Sequence, residues 1–457
     1  MKKFILLISD VILLYFTLWL TLFIRYGSNL KEQIAFHLLP FSILFIFWLF
    51  VFYIANLYDI SFLKNEPEFY TTFFKTTAIN ALVGIAYFYL LPFWSIAPRR
   101  NLFLFLIFFS ILDFGLRVLF NQIISSRKLK KPTIIVGLND QSFHLAKFLK
   151  NNSQLGYQLE YILDMSESLK QEELLEFGII RNIDQLKEKI EEKQINTVII
   201  SPEAYKIPRM IEVFYQLIHK KINFYPLSGF YEKVSHKILL DNVDQIWFLE
   251  NLSEGSKKLY EITKRLSDII FAIIFGAVTL VLTPLIALAI KLSSPGPIFF
   301  KQARVGQLGK SFSIIKFRTM IANSKDGSAE AGTGAVWAQE NDPRITKVGK
   351  FLRQTRLDEL PQLWNILKGE MSFVGPRAER PEFHEELKKN VPFYEERYLI
   401  KPGLTGWAQT HYRYGASIKD AAEKLQYDLF YIKHRSLILD LSIALKTANT
   451  VIRQAGR

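Results

Sequence analysis

The chain has 457 residues, half of them hydrophobic and 39 of them Phe, with 57 Lys and Arg against 43 Asp and Glu. That length holds two or three domains, and so large an apolar share exceeds what soluble cores need. The absence of cysteine excludes disulfides, thiolate nucleophiles and Cys-ligated metals, and the seven His residues show no i, i+4 pairing for a His-held zinc.

A formal charge of +14 beside long apolar runs points to anionic lipid headgroups rather than nucleic acid. Four apolar segments are long enough to span a bilayer, at about 4–24, 38–57, 74–95 and 101–124. Met1-Lys2-Lys3 before the first also suits a signal peptide, but the segment is too long for one and no small-residue cleavage site follows. Lys2-Lys3 and the basic run Arg127-Lys128-Leu129-Lys130-Lys131 mark one face as cytoplasmic, with Arg99 and Arg100 on the other. This gives a four-helix transmembrane bundle over residues 1–125. Inside it, Asp10 and Arg117 are costly unless paired. Each lies about six or seven residues from the same face, near 10 Å deep at roughly 1.5 Å per residue. They are expected to pair in a structural role rather than form a proton path, with Asp113 as a second candidate for Arg117.

Residues 132–248 read as a Rossmann-like α/β domain. The runs 133–137, 159–164, 196–201 and 222–227 have strand composition, and 183–194 and 206–220 have helical patterns. After the first strand, Gly137-Leu138-Asn139-Asp140-Gln141-Ser142 lacks two of the three glycines of a dinucleotide fingerprint. Side chains there obstruct a pyrophosphate's approach, so a regulatory, oligomerising or structural role is expected.

A fifth apolar stretch, 266–290, has bases on both sides: Lys257, Lys258, Lys264 and Arg265 before, Lys291, Lys301 and Arg304 after. Pro284 removes a backbone donor and clashes with the preceding turn. A helix that enters the membrane, breaks at Thr283-Pro284 and leaves by the same face satisfies both features; an ordinary fifth span is the alternative.

The densest chemistry lies in RLDELPQLWNILKGEMSFVGPR, 356–377. Asp358 and Glu359 open an expected helix, capped by Thr355 or Asp358, with Pro361 in its first turn. Leu360, Leu363, Trp364 and Leu367 follow at the spacing of one apolar face. Acidic residues in a first helical turn ordinarily just complement the dipole. Here they lie among Arg353, Arg356, Lys368 and Arg377, a mixture suited to a phosphorylated substrate.

This run, with KFRTM at 316–320 before it and KPGLTGWAQ at 401–409 after it, resembles the bacterial sugar transferases, the polyprenyl-phosphate glycosylphosphotransferases. The likeness covers roughly 260–457, and the preceding region resembles the family's long members. It implies a membrane α-helical bundle plus an α/β Rossmann-like domain plus a mixed, mainly α catalytic domain, 257–457, carrying a re-entrant membrane helix. The implied reaction moves a sugar-1-phosphate from a nucleotide diphosphate sugar, commonly a UDP-sugar, to undecaprenyl phosphate, initiating polysaccharide synthesis. By resemblance Asp358 is the nucleophile, forming an aspartyl phospho-sugar, and Glu359 helps hold Mg2+ or orients the site. Lys316, Arg353 and Arg377 match the family's functional bases, with Arg304 and Arg318 as weaker additions. Thr283-Pro284 stands where relatives carry Ser-Pro. The usual Pro-Arg-Pro is here Pro376-Arg377-Ala378, which leaves that turn expectedly looser. The implied setting is the inner membrane, with the catalytic part cytoplasmic and a homodimer open to a long member.

The glycine-rich stretch 325–343 reads either as a cover over the nucleotide or as a dangling insertion. Trp407 is expected in a core or at the membrane interface rather than as a base-stacking platform. The segment 381–399 suits a headgroup surface, with Phe383, Phe393, Tyr394 and Tyr398 facing inward. Two other function classes stand beside the enzyme. A sugar-modifying oxidoreductase is disfavoured by the missing glycines and by the lack of Tyr-x-x-x-Lys in 132–248. The other is a non-catalytic membrane scaffold or regulator of polysaccharide assembly.

Overall fold

The computed structural model describes residues 2–90, 99–126, 130–164, 176–252, 257–324, 327–329, 342–412, 415 and 417–452. It divides into two compact units, residues 1–230 and 231–457.

The first unit opens with four helices, α1 (Lys2–Tyr26), α2 (Leu30–Ile54), α3 (Pro67–Leu90) and α4 (Arg99–Ser125). Their centre is a ladder of rings, in which Phe41, Phe45, Trp48, Phe105 and Phe109 stack or tilt at 5.4–6.2 Å between centroids. By length and apolarity, the stretches Lys2–Ile54 and Arg100–Ile124 could cross a membrane. The expected third span maps onto α3, which carries Thr71, Thr72, Lys75, Thr76, Thr77 and Asn80, while residues 91–95 lie outside the described residues.

Asp10 and Arg117 meet as expected, and Asp113 joins them. Arg117 Nη2 lies 2.5 Å from Asp10 Oδ2, and its Nε donates to both oxygens of Asp113 at 3.0 and 3.1 Å. The other arm donates to the Leu57 carbonyl at 3.1 Å, and the Tyr58 hydroxyl donates to Asp10 at 2.6 Å. All three charged side chains are fully buried. This is the pairing that makes ions tolerable in an apolar interior.

After the bundle the chain forms a five-stranded parallel sheet of order β3-β2-β1-β4-β5, built from β1 (Lys131–Val136), β2 (Tyr157–Leu163), β3 (Gly178–Ile180), β4 (Thr197–Ile200) and β5 (Asn223–Pro226). The order is that of a doubly wound α/β fold. The four strand runs read from sequence are all present; the three-residue β3 was too short to read. Gly137 has φ +90°, and a Cβ there would fall 2.0 Å from Ser201 Oγ. The glycine thus serves strand packing. The following helix, α5 (Asp140–Asn151), is closed by a reciprocal cap between Asn139 and Ser142, and Asn139 also donates to Glu203 at 3.1 Å. A carboxylate beside an already capped terminus disfavours phosphate.

The sheet unit ends at residue 230, not 248. Ile238 and Val243 belong to the second unit's core with Leu425, Leu429 and Tyr431, and Ile238 N donates to the Gln426 carbonyl at 3.1 Å.

In the second unit, helix α6 (Lys258–Ser293) runs unbroken through Pro284. No interruption marks the expected break; the Thr283 hydroxyl donates to the Thr279 carbonyl at 2.7 Å, a back-bond that favours bending over breaking. The outward middle is strongly apolar, with Leu280 74% and Val281 75% exposed. Both ends are held on one body. Arg265 donates to the carbonyls of Ile366 and Leu367 at 2.6 and 2.7 Å, and Asp268 accepts from Phe373 N at 3.1 Å. At the far end Ile290 packs with Phe317 and Leu352. Ala272 and Ile290 would be about 27 Å apart on a straight helix. Leu360 packs against the apolar clusters of both, so both ends of the helix rest on one body.

Candidate active site

An antiparallel hairpin, β6 (Phe299–Val305) and β7 (Ser311–Phe317), brings Lys316 to the second unit's centre. Helix α7 (Lys347–Gln354) is capped by Thr346, whose hydroxyl accepts from Gly349 N at 2.9 Å. Gly349 is required there, since a Cβ would lie 1.9 Å from the Thr319 carbonyl oxygen. The helix ends at Thr355, whose hydroxyl turns back to the Phe351 carbonyl. Neither Thr355 nor Asp358 caps the next element. Instead Arg356 adopts φ +56°, a left-handed turn, and a 3-10 helix Leu357–Gln362 carries both acids inward. The short α8 (Leu363–Lys368) follows. Its buried face is Leu363 and Ile366, while Trp364 is 55% exposed, because the 3-10 segment shifts the helical phase.

Glu359 is locked among bases. Its Oε1 receives Lys316 Nζ at 2.8 Å and Arg377 at 3.4 Å, and its Oε2 receives Arg356 at 3.5 Å. Burial opposes ionisation, but Lys316, Arg377 and Arg356 outweigh it and hold this carboxyl well below the usual carboxylate range. Asp358, 9% exposed, makes no hydrogen bond or ion pair among the described residues. Burial pushes it up to about 6, with Lys316 opposing and the neighbouring Glu359 charge adding. The pair is therefore polarised into a fixed anion and an open, titratable carboxylate. Arg353, on α7, also acts on Asp358 through its charge.

The Pro376-Arg377-Ala378 turn is tied down by hydrogen bonds rather than by a second proline. Carbonyl 376 accepts from Gly403 N at 2.8 Å, 377 from Arg397 at 3.2 Å and 378 from Arg304 at 3.1 Å. The parallel pair β8 (Ser372–Val374) and β9 (Gly403–Thr405) allows this because a Cβ on Gly403 would sit 2.1 Å from Gly375 N. The expected looseness is not present.

Arg304 thus supports the turn instead of facing the acids. Arg318 is likewise committed elsewhere: it is buried and donates to the carbonyls of Ser294, at 2.8 Å, and Pro295 at the end of α6. Arg318→Gln is expected to cost about 2–3 kcal/mol, because charged hydrogen bonds to otherwise unpaired carbonyls are lost. Thermal unfolding checks the loss, and donor KM in the folded fraction is expected to hold, which a substrate-binding role would not allow.

Sequence reasoning counted Arg356 among the bases around the acids without giving it a role, and did not single out Asn365. Asn365 is buried, donates to Ser313 O at 2.8 Å and to Glu370 at 2.7 Å, and fastens the hairpin to α8. An Asn inside an apolar helical run was the available signal. Trp407 is core, stacked on Phe430 at 5.7 Å, with Nε1 donating to the His236 carbonyl at 3.0 Å. Phe383, Tyr394 and Tyr398 are buried, as the inward-facing reading of 381–399 requires. Most of the 325–343 stretch lies outside the described residues.

Among the described residues no group of three or more acidic or His side chains gathers. Mg2+ takes oxygen ligands and keeps several from water and phosphate, so one open carboxylate fits it. Asp358 would supply that oxygen. Glu359, turned to its three bases, suits orientation better than ligation.

A family model described as bacterial sugar transferase matches residues 259–454. A UDP-N-acetylgalactosamine-undecaprenyl-phosphate N-acetylgalactosaminephosphotransferase of Aeromonas hydrophila is 42% identical over 43% of this chain and 45% of its own length. A UDP-glucose:undecaprenyl-phosphate glucose-1-phosphate transferase of Xanthomonas campestris pv. campestris is 32% identical over 70% of this chain and 66% of its own. One of the same description from Caulobacter vibrioides is 39% identical over 50% of this chain and 84% of its own. The chain therefore spans less than half of the first relative and just under two thirds of the second.

Proposed function

We propose that this chain, which belongs to the bacterial sugar transferase family, transfers a sugar-1-phosphate from a nucleotide diphosphate sugar to a polyprenyl phosphate. The observation that carries the reading is the polarised pair: an open Asp358 carboxylate beside a Glu359 held by Lys316, Arg356 and Arg377. The relatives' names support a UDP-sugar donor and undecaprenyl phosphate as acceptor.

In the first step an Asp358 oxygen attacks the sugar-bearing phosphorus and the bond to the bridging oxygen breaks. That oxygen leaves with the nucleoside monophosphate, and the enzyme holds an acyl phospho-sugar. In the second step a phosphate oxygen of the polyprenyl phosphate attacks the same phosphorus. The carboxylate is released, and polyprenyl-diphosphate sugar is formed. Lys316, Arg353 and Arg377 face the developing negative charge, where fixed cations in a partly dry site act most strongly. Mg2+, if held beside Asp358, would supply positive charge that offsets the charge of the diphosphate. Glu359 holds the cations in place.

A re-entrant α6, with the catalytic unit on a single face of the membrane, is supported by its apolar outward middle and by both ends being fastened to one body. On this reading that face is the cytoplasmic side of the inner membrane, where nucleotide sugars are made.

The test is a half-reaction. Purified protein with UDP-sugar and Mg2+, without lipid acceptor, is expected to release about one equivalent of UMP, with ping-pong kinetics when acceptor is added. A strict requirement for acceptor before any UMP appears refutes the covalent route. Because the attacking form of Asp358 is ionised and its carboxyl titrates at about 6, kcat/KM is expected to fall about tenfold per pH unit below that value. A pH–rate profile with no acid limb above pH 5 contradicts it.

A further inference from the structure

A cavity of about 600 Å3 opens beside the first turns of α6, and none of Lys316, Arg353, Asp358, Glu359 or Arg377 lines it. Its lining combines apolar Ile262, Leu266 and Ile269 with the bases Lys264, Arg265, Lys401 and Arg435 and the acids Glu261 and Asp268; Glu261 is taken up by Arg435, and Asp268 accepts from Phe373 N. Most of these bases already have acceptors. Lys264 is 2.8 Å from Asp440, Arg265 holds the last carbonyls of α8, and Arg435 donates to Glu261 at 3.0 Å.

Lys401 is different: among the described residues it has neither a hydrogen bond nor an ion pair. Its ammonium also lies close to the Arg265 guanidinium. A Cβ built on Gly369 would be 3.6 Å from Lys401 Nζ and 3.5 Å from Arg265 Nη2. Two cations converging on a half-buried spot repel each other unless an anion joins them. Burial and then Arg265 press the Lys401 ammonium toward the neutral form, and the charges of Asp268 and Glu261 offset this only in part. The apolar lining continues into exposed Ile262, Leu266, Ile270 and Phe271 on the helix read above as membrane-embedded.

We propose that this cavity binds a lipid phosphate, with the phosphate on Lys401 and Arg265 and the acyl or prenyl tail along Ile262, Leu266 and Ile269. A free inorganic anion would have no use for the apolar lining, and an uncharged lipid none for the bases. Two membrane components carry this chemistry, a glycerophospholipid and a polyprenyl phosphate. The site is separate from the carboxylate pair and lies at the opposite end of α8. A lipid phosphate there anchors the foot of the membrane helix to the catalytic body without entering the reaction.

The experiment uses the delipidated full chain in detergent, titrated with phosphatidylglycerol, undecaprenyl phosphate, diacylglycerol or inorganic phosphate, with bound molecules counted by native mass spectrometry. Lys401→Gln is expected to weaken binding of a lipid phosphate about tenfold, the size of one charge-assisted contact, and Lys401→Arg to retain it. Loss confined to phosphatidylglycerol identifies the phospholipid as occupant; loss confined to undecaprenyl phosphate identifies the prenyl carrier. Equal binding by wild type and Lys401→Gln, or diacylglycerol binding as tightly as phosphatidylglycerol, overturns the proposal. Independently of any variant, a phosphatidylglycerol with a photoreactive group near its headgroup is expected to crosslink wild-type protein within 259–269 or 399–403; labelling elsewhere alone counts against it. UMP release without acceptor reports on Asp358 separately, so failure of that reaction leaves the lipid count interpretable.

Discussion

Replacing Asp358 by asparagine is expected to abolish UMP release from a UDP-sugar, a loss of about 10^4-fold or more, as for removal of other covalent nucleophiles. The amide keeps the shape but cannot form the acyl phosphate. It also leaves Glu359 and its three bases untouched, so binding of the donor is expected to survive. Stability is expected to move in the opposite direction. Asp358 titrates at about 6, above the 3.8 of an ordinary aspartate, so folding disfavours its charge. That penalty is absent below the unfolded value, grows between the two and is complete above about 6. At neutral pH the asparagine variant should therefore melt no lower than wild type, and a small gain is expected. The two readings must be taken together. An inactive variant with a sharply lowered melting temperature would mean that the fold was lost, whereas an inactive and stable one isolates the nucleophile. Glu359→Gln offers the contrast. It leaves Lys316, Arg356 and Arg377 converging without their anion, so both activity and stability are expected to fall. Substantial UMP release by Asp358→Asn would remove this carboxylate from the chemistry.

What the sequence made legible follows from which interactions are local. The strands of the α/β domain announce themselves because Ile-Ile-Val and Val-Ile-Ile runs are favourable on buried parallel strands. Asp10 and Arg117 were read as partners from depth alone, since few alternatives exist for an ion in an apolar bundle. The site motif was legible in its residues but not in its backbone. A left-handed Arg356 leaves no mark in the sequence, because non-glycine residues at positive φ are uncommon and chosen by context. That single turn changes the caps, the helix type and which face Trp364 shows. The same ambiguity affected Arg304 and Arg318. A base in a phosphate-handling motif reads as a ligand contact, yet a guanidinium with several donors serves equally well on backbone carbonyls. Only the path of the chain, bringing the end of α6 to Arg318 and Ala378 to Arg304, separates the two uses. Lys401 shows the converse. It opens the KPGLTGWAQ motif, but only the fold sets it near Arg265, with no acceptor among the described residues.

Arg117→Leu is expected to destabilise the first unit by about 3–5 kcal/mol, the usual cost of breaking a buried ion cluster from one side. The reason is the carboxylates left behind rather than the lost attraction. Asp10 and Asp113 would remain fully buried, with Tyr58 the donor left to Asp10 and none of the guanidinium's three arms in place. Lysine cannot substitute fully, because the fork spans Asp113, Asp10 and the Leu57 carbonyl at once, whereas an ammonium is a point charge. Arg117→Lys is thus expected to recover only part of the loss. Combining Arg117→Leu with Asp10→Leu and Asp113→Leu removes the orphan charges as well, and should recover more than Arg117→Lys does, since well-packed hydrophobic residues of similar volume often replace buried ions at little cost. The melting temperature of the purified full chain and the yield of folded protein measure all three. If Arg117→Leu alone is neutral, the carboxylates are reaching water or protons by some route, and the closed, structural triad is the wrong description of this bundle's interior.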